Sequence, residues 1–165
     1  MVLKDREKIE IRKLHYTDEV EICARMMANS EPWITLRRDY ETILKIVAEP
    51  TREVYLAVDG NNKIAGFIML NMQGAFVGYI QSVCTGPNWR NKGIGSQLIA
   101  FAEKRIFNAT PNVFICVSSF NPNAKRLYER LGYEVVGEMK DYIISGYSEI
   151  LLRKTIAPLA EFKGK

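Results

Sequence analysis

SVCTGPNWRNKGIGSQLI, Ser82 to Ile99, takes the chain from a strand through a Gly-Pro turn and two cations into a glycine-rich helix start. Gly86 and Pro87 end the strand. Beyond them Ile94, Leu98, Ile99, Ala102 and Ile106 recur at the spacing of one helical face. This strand-turn-helix unit divides the chain into a half that meanders and a half that alternates.

Upstream, residues 8 to 14 (KIEIRKL) alternate apolar and charged as a half-buried strand does, and Thr17 offers an N-cap for a helix to about Asn29. Ser30, Glu31 and Pro32 break that helix, and WITLRRDY leads into a second one ending near Pro50. Three β-rich runs follow, 53 to 58, 63 to 70 and 75 to 85, with Asp59, Gly60 and Asn61 and then Gly74 as hairpin punctuation. Downstream, residues 112 to 118 form a short apolar run of buried-strand type. Asn121 and Pro122 open a helix that Gly132 closes, and Tyr133 to Met139 and Ser148 to Lys154 look like two more strands. The order is therefore β-α-α-β-β-β followed by α-β-α-β-β, which implies a mixed sheet in an α/β (α+β) fold.

At 165 residues the chain is expected to form one domain, 1–165, able to fold without metal or disulfide staples. The net charge of +4 is too small to make nucleic acid the default partner, though it suits a small anion. Cys23, Cys84 and Cys116 are odd in number and form no C-x-x-C pair, so they read as reduced thiols. His15 is the sole histidine, which removes multi-histidine metal sites. MVLKDREKIE lacks the apolar stretch of a leader, and no run approaches the ~18 apolar residues of a membrane span, so a cytoplasmic protein without membrane partners is expected.

The chemistry is expected where the central unit turns. A helix N-terminus exposes unpaired N–H groups and the positive end of a dipole, and Gly93 and Gly95 let an anion approach that backbone unobstructed. Arg90 and Lys92 add formal charge. Together they describe a phosphate or pyrophosphate cradle. A Rossmann fingerprint would need a small residue where Leu98 stands, and a P-loop would need its Lys after the glycine rather than at Lys92. Both alternatives fail.

On these residues the sequence resembles the GNAT superfamily of acyl-CoA-dependent N-acyltransferases. Their signature Q/R-x-x-G-x-G/A is matched by Arg90-Asn91-Lys92-Gly93-Ile94-Gly95, and a second signature by Asn121, Ala124, Tyr128, Gly132 and Tyr133. The resemblance covers nearly the whole chain and implies a mixed, mostly antiparallel sheet of about seven strands flanked by about four helices. It implies that acetyl-CoA is the co-substrate, with no metal. Asn91, Lys92, Gly93, Ile94, Gly95 and Ser96 would wrap the coenzyme pyrophosphate with Arg90 alongside. Val83, Cys84 and Thr85 would pair their main chain with the pantetheine arm, and Asn121 would hold it from the other side.

The residue matching Tyr128 in the family protonates the departing thiolate; packed among Ala124, Leu127 and Leu131, it also reads as a core tyrosine. A phenol near pKa ~10 is neutral at pH 7 and can give up that proton. The reaction implied is direct attack of an amine on the acetyl carbonyl, with a strand N–H near Val83 to Thr85 stabilising the oxyanion. Cys84 as a nucleophile would have only His15 for a base.

One departure stands out: many members carry an acid on the strand before the glycine signature, where this chain has Tyr79 and Gln81. The base is therefore open among Glu31, Asp39, Asp141 and a water held by Tyr79 and Gln81. The acceptor pocket is expected between the first helical region and the last hairpin, with Glu31, Trp33, Tyr79, Gln81 and Tyr142 against substrate and Tyr40, Asp141 and Tyr147 nearby. KDYIISGYSEILLRK is similar to the ending of members that acetylate protein amino termini, which makes a peptide amine the leading acceptor. Polyamines and aminoglycoside-like amines are the alternatives, as is a noncatalytic acyl-CoA-binding module. Family members are often dimers, and a homodimer is compatible with the chain although no motif fixes its interface.

Overall fold

A computed structural model describes residues 8–164, so residues 1–7, over which part of the leader reading extends, lie outside it. The elements run β1 (Glu10–Lys13), α1 (Thr17–Ala28), α2 (Tyr40–Val47), β2 (Arg52–Val58), β3 (Ile64–Asn71) and β4 (Tyr79–Thr85). A 3-10 turn at Pro87–Trp89 leads to α3 (Ile94–Phe107), β5 (Asn112–Ser118), α4 (Pro122–Arg130), β6 (Glu134–Lys140) and β7 (Ser148–Thr155). All seven strands form one sheet in the order β1-β2-β3-β4-β5-β7-β6. Every neighbouring pair is antiparallel except β4 with β5. The architecture is the mixed sheet that the element order implies, mostly antiparallel and carrying four helices as the resemblance implies.

Each sheet face buries a different helical layer. Ile94, Leu98, Ile99, Ala102 and Ile106, the periodic face of α3, are buried against Ile68, Leu70, Ile80 and Val113. The other face packs Cys23, Ala24 and Met27 of α1 and Ile43 and Val47 of α2 onto Leu56, Phe67 and Met69. Completely burying side chains of this size contributes about 1.5–3 kcal/mol each.

Two boundaries differ from the sequence expectation. The N-cap of α1 is Tyr16 rather than Thr17, because the Glu19 carboxylate reaches back to accept from the N–H groups of His15 (2.9 Å) and Tyr16 (3.1 Å). The run from residue 75 to 85 pairs as a strand only from Tyr79. Gly78 has φ +89, and its N–H closes onto Asn71 O at 3.2 Å, so the preceding residues form a loop.

The sheet is not continuous at its centre. On the β3 side β4 pairs from Tyr79 to Thr85, but toward β5 only Tyr79 with Phe114 and Ile80 with Ile115 are in register. Beyond Ile80 the two strands diverge, leaving main-chain groups of Gln81–Thr85 without a strand partner on that side. Such groups need partners of another kind. The gap opens toward the start of α3 at one end and α4 at the other.

Candidate active site

The start of α3 has the geometry of an anion cradle. Asn91 (φ 60) and Gly93 (φ 80) both sit in the left-handed region, flanking Lys92, and all three are exposed. Successive N–H groups in such turns converge on a concavity that suits an anion. The helix then begins with Ile94, and the first internal bond at the N-cap is donated by Gln97 N to Gly93 O at 3.1 Å. The N–H groups of Ile94, Gly95 and Ser96 therefore have no acceptor one turn back. A Cβ at Gly95 would meet only Thr85 Oγ1, 3.8 Å away, so cradle and strand end adjoin across open space. Lys92 Nζ lies 4.9 Å above the Trp89 ring, and Arg90 reaches back to donate to Ser30 Oγ at 3.4 Å. Donors and charge fit a diphosphate, and the unpaired edge of β4 suits an extended, amide-bearing arm.

Between the diverging strands lies a cavity of about 140 Å³. Its lining brings Val83, Asn121 and Tyr128 together with Tyr79, Gln81 and Trp33, all named from the sequence. Asn121 caps α4, its Oδ1 accepting from Ala124 N at 3.3 Å. That leaves its Nδ2 donors for something other than the helix. Tyr128 is 8% exposed and meets Tyr133 edge to face at 5.8 Å. Burial pushes its phenol up to about 12, so it stays protonated throughout the neutral range. Its hydroxyl has no hydrogen-bond partner among the described residues.

Other sequence candidates fall elsewhere. Glu31 is exposed and accepts from Thr35 N at 3.2 Å, and Tyr142, 64% exposed, stands outside the cavity lining. Ile143 lines the cavity instead. Asp39 is the N-cap of α2, accepting from Thr42 N at 2.8 Å, and Asp141 holds the β6–β7 turn by accepting from Gly146 N at 2.7 Å. Each of these acids is committed to local backbone. Cys84 is buried beside Ser30, with its thiol pushed up to about 11 by burial, whereas His15 is exposed ahead of α1. Among the described residues the only side-chain hydrogen bond of Cys84 is to Ser30, which is no base.

Two polar groups in the cavity carry more than the sequence indicated. Gln81 Oε1 is buried without a hydrogen-bond partner. Glu149, the second residue of β7, is 6% exposed and lines the same space. It stands directly opposite Ser118 in the β5–β7 ladder, and the Ser118 hydroxyl donates to Glu149 Oε1 at 2.5 Å. Burial raises its pKa and the Ser118 bond opposes that rise. Nothing in residues 148–155 taken alone marks Glu149 out; the signal is its register against Ser118.

A second groove, under the C-terminal segment, is lined by Asn112, Arg153 and residues 155–159 and offers no acid, thiol or phenol. Among the described residues no three His, Cys, Asp or Glu side chains are grouped to hold a metal, and no helix is long and apolar enough to cross a membrane.

The fold is shared with solved acetyltransferases. Arabidopsis thaliana NAA60 in complex with a bisubstrate analogue superposes with a TM-score of 0.72 at 20% identity, covering 90% of this chain and 98% of that one. An aminoglycoside 6'-N-acetyltransferase complexed with coenzyme A gives 0.72 at 18% identity, covering 90% and 98%. The spermidine N-acetyltransferase of Vibrio cholerae, in complex with CoA and spermine, gives 0.69 at 14% identity, covering 89% and 95%. At these identities the likeness extends to the fold alone. The family model described as acetyltransferase (GNAT) family matches residues 16–133, which include the cradle, the strand gap and Tyr128. With most of its length matched by that model, the chain belongs to the GNAT acetyltransferase family.

Proposed function

We propose that this protein transfers an acetyl group from acetyl-CoA to a primary amine by direct attack within a ternary complex. The observation that carries the reading is the opening between β4 and β5, with a diphosphate-sized set of free N–H groups at one end and a buried, unpartnered tyrosine at the other. Residues 90–96 would hold the coenzyme diphosphate, the free edge at Val83–Thr85 the pantetheine amides, and Asn121 Nδ2 a pantetheine carbonyl. Acetyl-CoA supplies the activated acyl group. Tyr128 gives its proton to the sulfur as the carbon–sulfur bond breaks and recovers one from solvent. Burial keeps that phenol protonated in the resting site, so its proton is in place when the thiolate forms.

For the acceptor we propose a peptide α-amine. Pro32, Trp33, Leu36 and Ile143 give the cavity apolar walls, and among the described residues Glu149 is the only acid lining it. One carboxylate matches one ammonium flanked by uncharged groups. A polyamine or aminoglycoside would bring further cations to walls that offer no further carboxylate, and desolvating an unpaired charge is costly.

Calorimetric titration with acetyl-CoA tests the cradle on which this rests, using Gly95→Leu. The added side chain starts in open space and improves helix propensity, so thermal stability should hold or rise. Coenzyme affinity should fall at least ~100-fold, about 2.7 kcal/mol. Wild-type affinity in that variant would refute the cradle. Thiol release with tetrapeptides beginning Gly, Ala, Ser or Met, against spermidine and an aminoglycoside, then tests the acceptor.

A further inference from the structure

Three carboxylates in the described structure are both buried and within a few per cent of full enclosure: Glu19, Asp59 and Glu149. Glu19 accepts from two backbone N–H groups and pairs with Arg12 at 2.5 Å. Asp59 accepts from Asn61 N and Lys63 N at 2.9 and 2.7 Å, holding the β2–β3 turn. Glu149 has neither a backbone donor nor a cation, only the Ser118 hydroxyl. A buried carboxylate so poorly compensated is destabilising unless a ligand completes it. The groups that face it are also uncharged at neutral pH. Tyr79 from β4 and Cys116 from β5 are both pushed up, by burial first, with Glu149 adding to each, and Tyr128 from α4 lines the same cavity. Tyr142, from the β6–β7 loop, acts on Tyr79 in the same direction. Among the described residues no lysine, arginine or histidine lines the space.

We infer that Glu149 accepts the proton of the incoming ammonium, supplying the general base that the strand before the glycine signature lacks. The inference rests on the reading of this cleft as an acetyl-transfer site. R–NH₃⁺ gives one proton to the Glu149 carboxylate, and the freed nitrogen pair forms the bond to the acyl carbon. The carbon–sulfur bond breaks with the electron pair going to sulfur, which takes the Tyr128 proton. The second proton on nitrogen leaves to solvent as the amide forms, and Glu149 discharges its own to solvent while Tyr128 is reprotonated. The sum is one amide, one thiol and one released proton. Glu149 thereby pairs with the cation in the bound state and with Ser118 in its absence. Gln81 Oε1, buried and unpartnered in the same cavity lining, is a second acceptor for an ammonium N–H.

Glu149→Gln keeps the shape and an acceptor for Ser118 while removing basicity. In thiol-release assays with acetyl-CoA and the same tetrapeptides, kcat should fall about 100-fold at pH 7, the lower end for loss of a general base. Acetyl-CoA affinity should stay within twofold. The defect should shrink as pH passes the α-amino pKa near ~8, where solvent has already deprotonated the acceptor. Glu149→Asp, which keeps the charge but withdraws it by one methylene, should recover at least tenfold over the Gln variant. A Gln variant within twofold of wild type from pH 6 to 9, or a defect constant across that range with a lowered Tm, would overturn the inference and leave the acetyl-transfer reading standing. If the wild type binds acetyl-CoA but releases thiol with no amine, the acetyl-transfer reading itself fails and the base goes with it.

Discussion

Glu19 and Glu149 are equally enclosed, 5% and 6% exposed, yet the chain treats them in opposite ways. Around Glu19 both carboxylate oxygens accept hydrogen bonds, three in all. It caps α1 through two N–H groups and is clamped by Arg12, and although burial works against ionisation, the Arg12 and backbone bonds together hold its carboxyl below the usual range. Around Glu149 the buried polar atoms are short of partners: one hydroxyl donor for the carboxylate and none for Gln81 Oε1. Arg52 Nε, Glu103 Oε1 and Tyr133 Oη are also buried without a partner, but they lie outside the cavity, whereas Gln81 Oε1 and the thinly bonded Glu149 line it together. Glu19 is bonded into the structure; Glu149 is left open toward the cavity.

If that division is right, the largest single effect should come from a group on the deficient side that touches nothing structural. Tyr128→Phe retains the ring contact with Tyr133 and removes only an unpartnered hydroxyl. Turnover should fall about 100-fold, equivalent to about 2.7 kcal/mol in the barrier, with coenzyme affinity and Tm unchanged. Steady-state kinetics beside calorimetry read both quantities. A Phe variant with full activity, where chemistry limits the rate, would return Tyr128 to the core.

The satisfied side should respond in the opposite currency. Arg12→Ala strips the cation from Glu19 while leaving its two N–H donors, and the pair is mostly shielded, with side chains 21% and 7% exposed. A loss of about 2 kcal/mol is expected, in the range for removing a partner from a buried charged acceptor. At this chain length that is about 6 °C in Tm. The kcat of the folded protein should not change, because β1 lies at the far edge of the sheet from the β4–β5 gap. Lost turnover with unchanged stability would contradict the division.

The two sides also differ in how far the sequence discloses them. A cradle built from backbone N–H groups must be contiguous, so residues 90–96 and the strand before them can be read as one stretch, and the structure places Gly93 at φ +80 where the helix begins. The element order is equally local, since hydrophobic period and turn residues set each strand and helix. The cavity floor is not local. Tyr79 and Gln81, Cys116 and Ser118, and Glu149 come from three strands, and the decisive bond spans 31 positions. Glu149 becomes conspicuous only once β7 lies antiparallel to β5 in the register that sets it across from Ser118. Glu31 and Tyr142 are named from the loops they occupy; Glu31 bonds within its own turn and Tyr142 is exposed outside the cavity lining, arrangements that composition does not disclose.

The smallest effect is the most specific, because the two glutamates should pull the pH dependence of stability in opposite directions. Glu19 has a folded pKa below its unfolded value near ~4.3, so its contribution is present above that value and is lost as pH falls through the lower, folded one. Glu149 has a folded pKa above the same reference, so the folded state holds the extra proton and stability declines as pH rises from ~4.3 through the raised value. Glu149→Gln removes only the second dependence. The variant should therefore match or exceed the wild-type Tm at pH 7 to 8, by a few degrees at most, and the difference should close toward pH 4. Glu19→Gln should instead be less stable than wild type at neutral pH, with the gap narrowing in acid. Melting curves from pH 3.5 to 8 resolve the pair. Parallel losses for both variants at neutral pH would mean that Glu149, too, is held in place for the fold, and that the cavity it lines was finished without a guest.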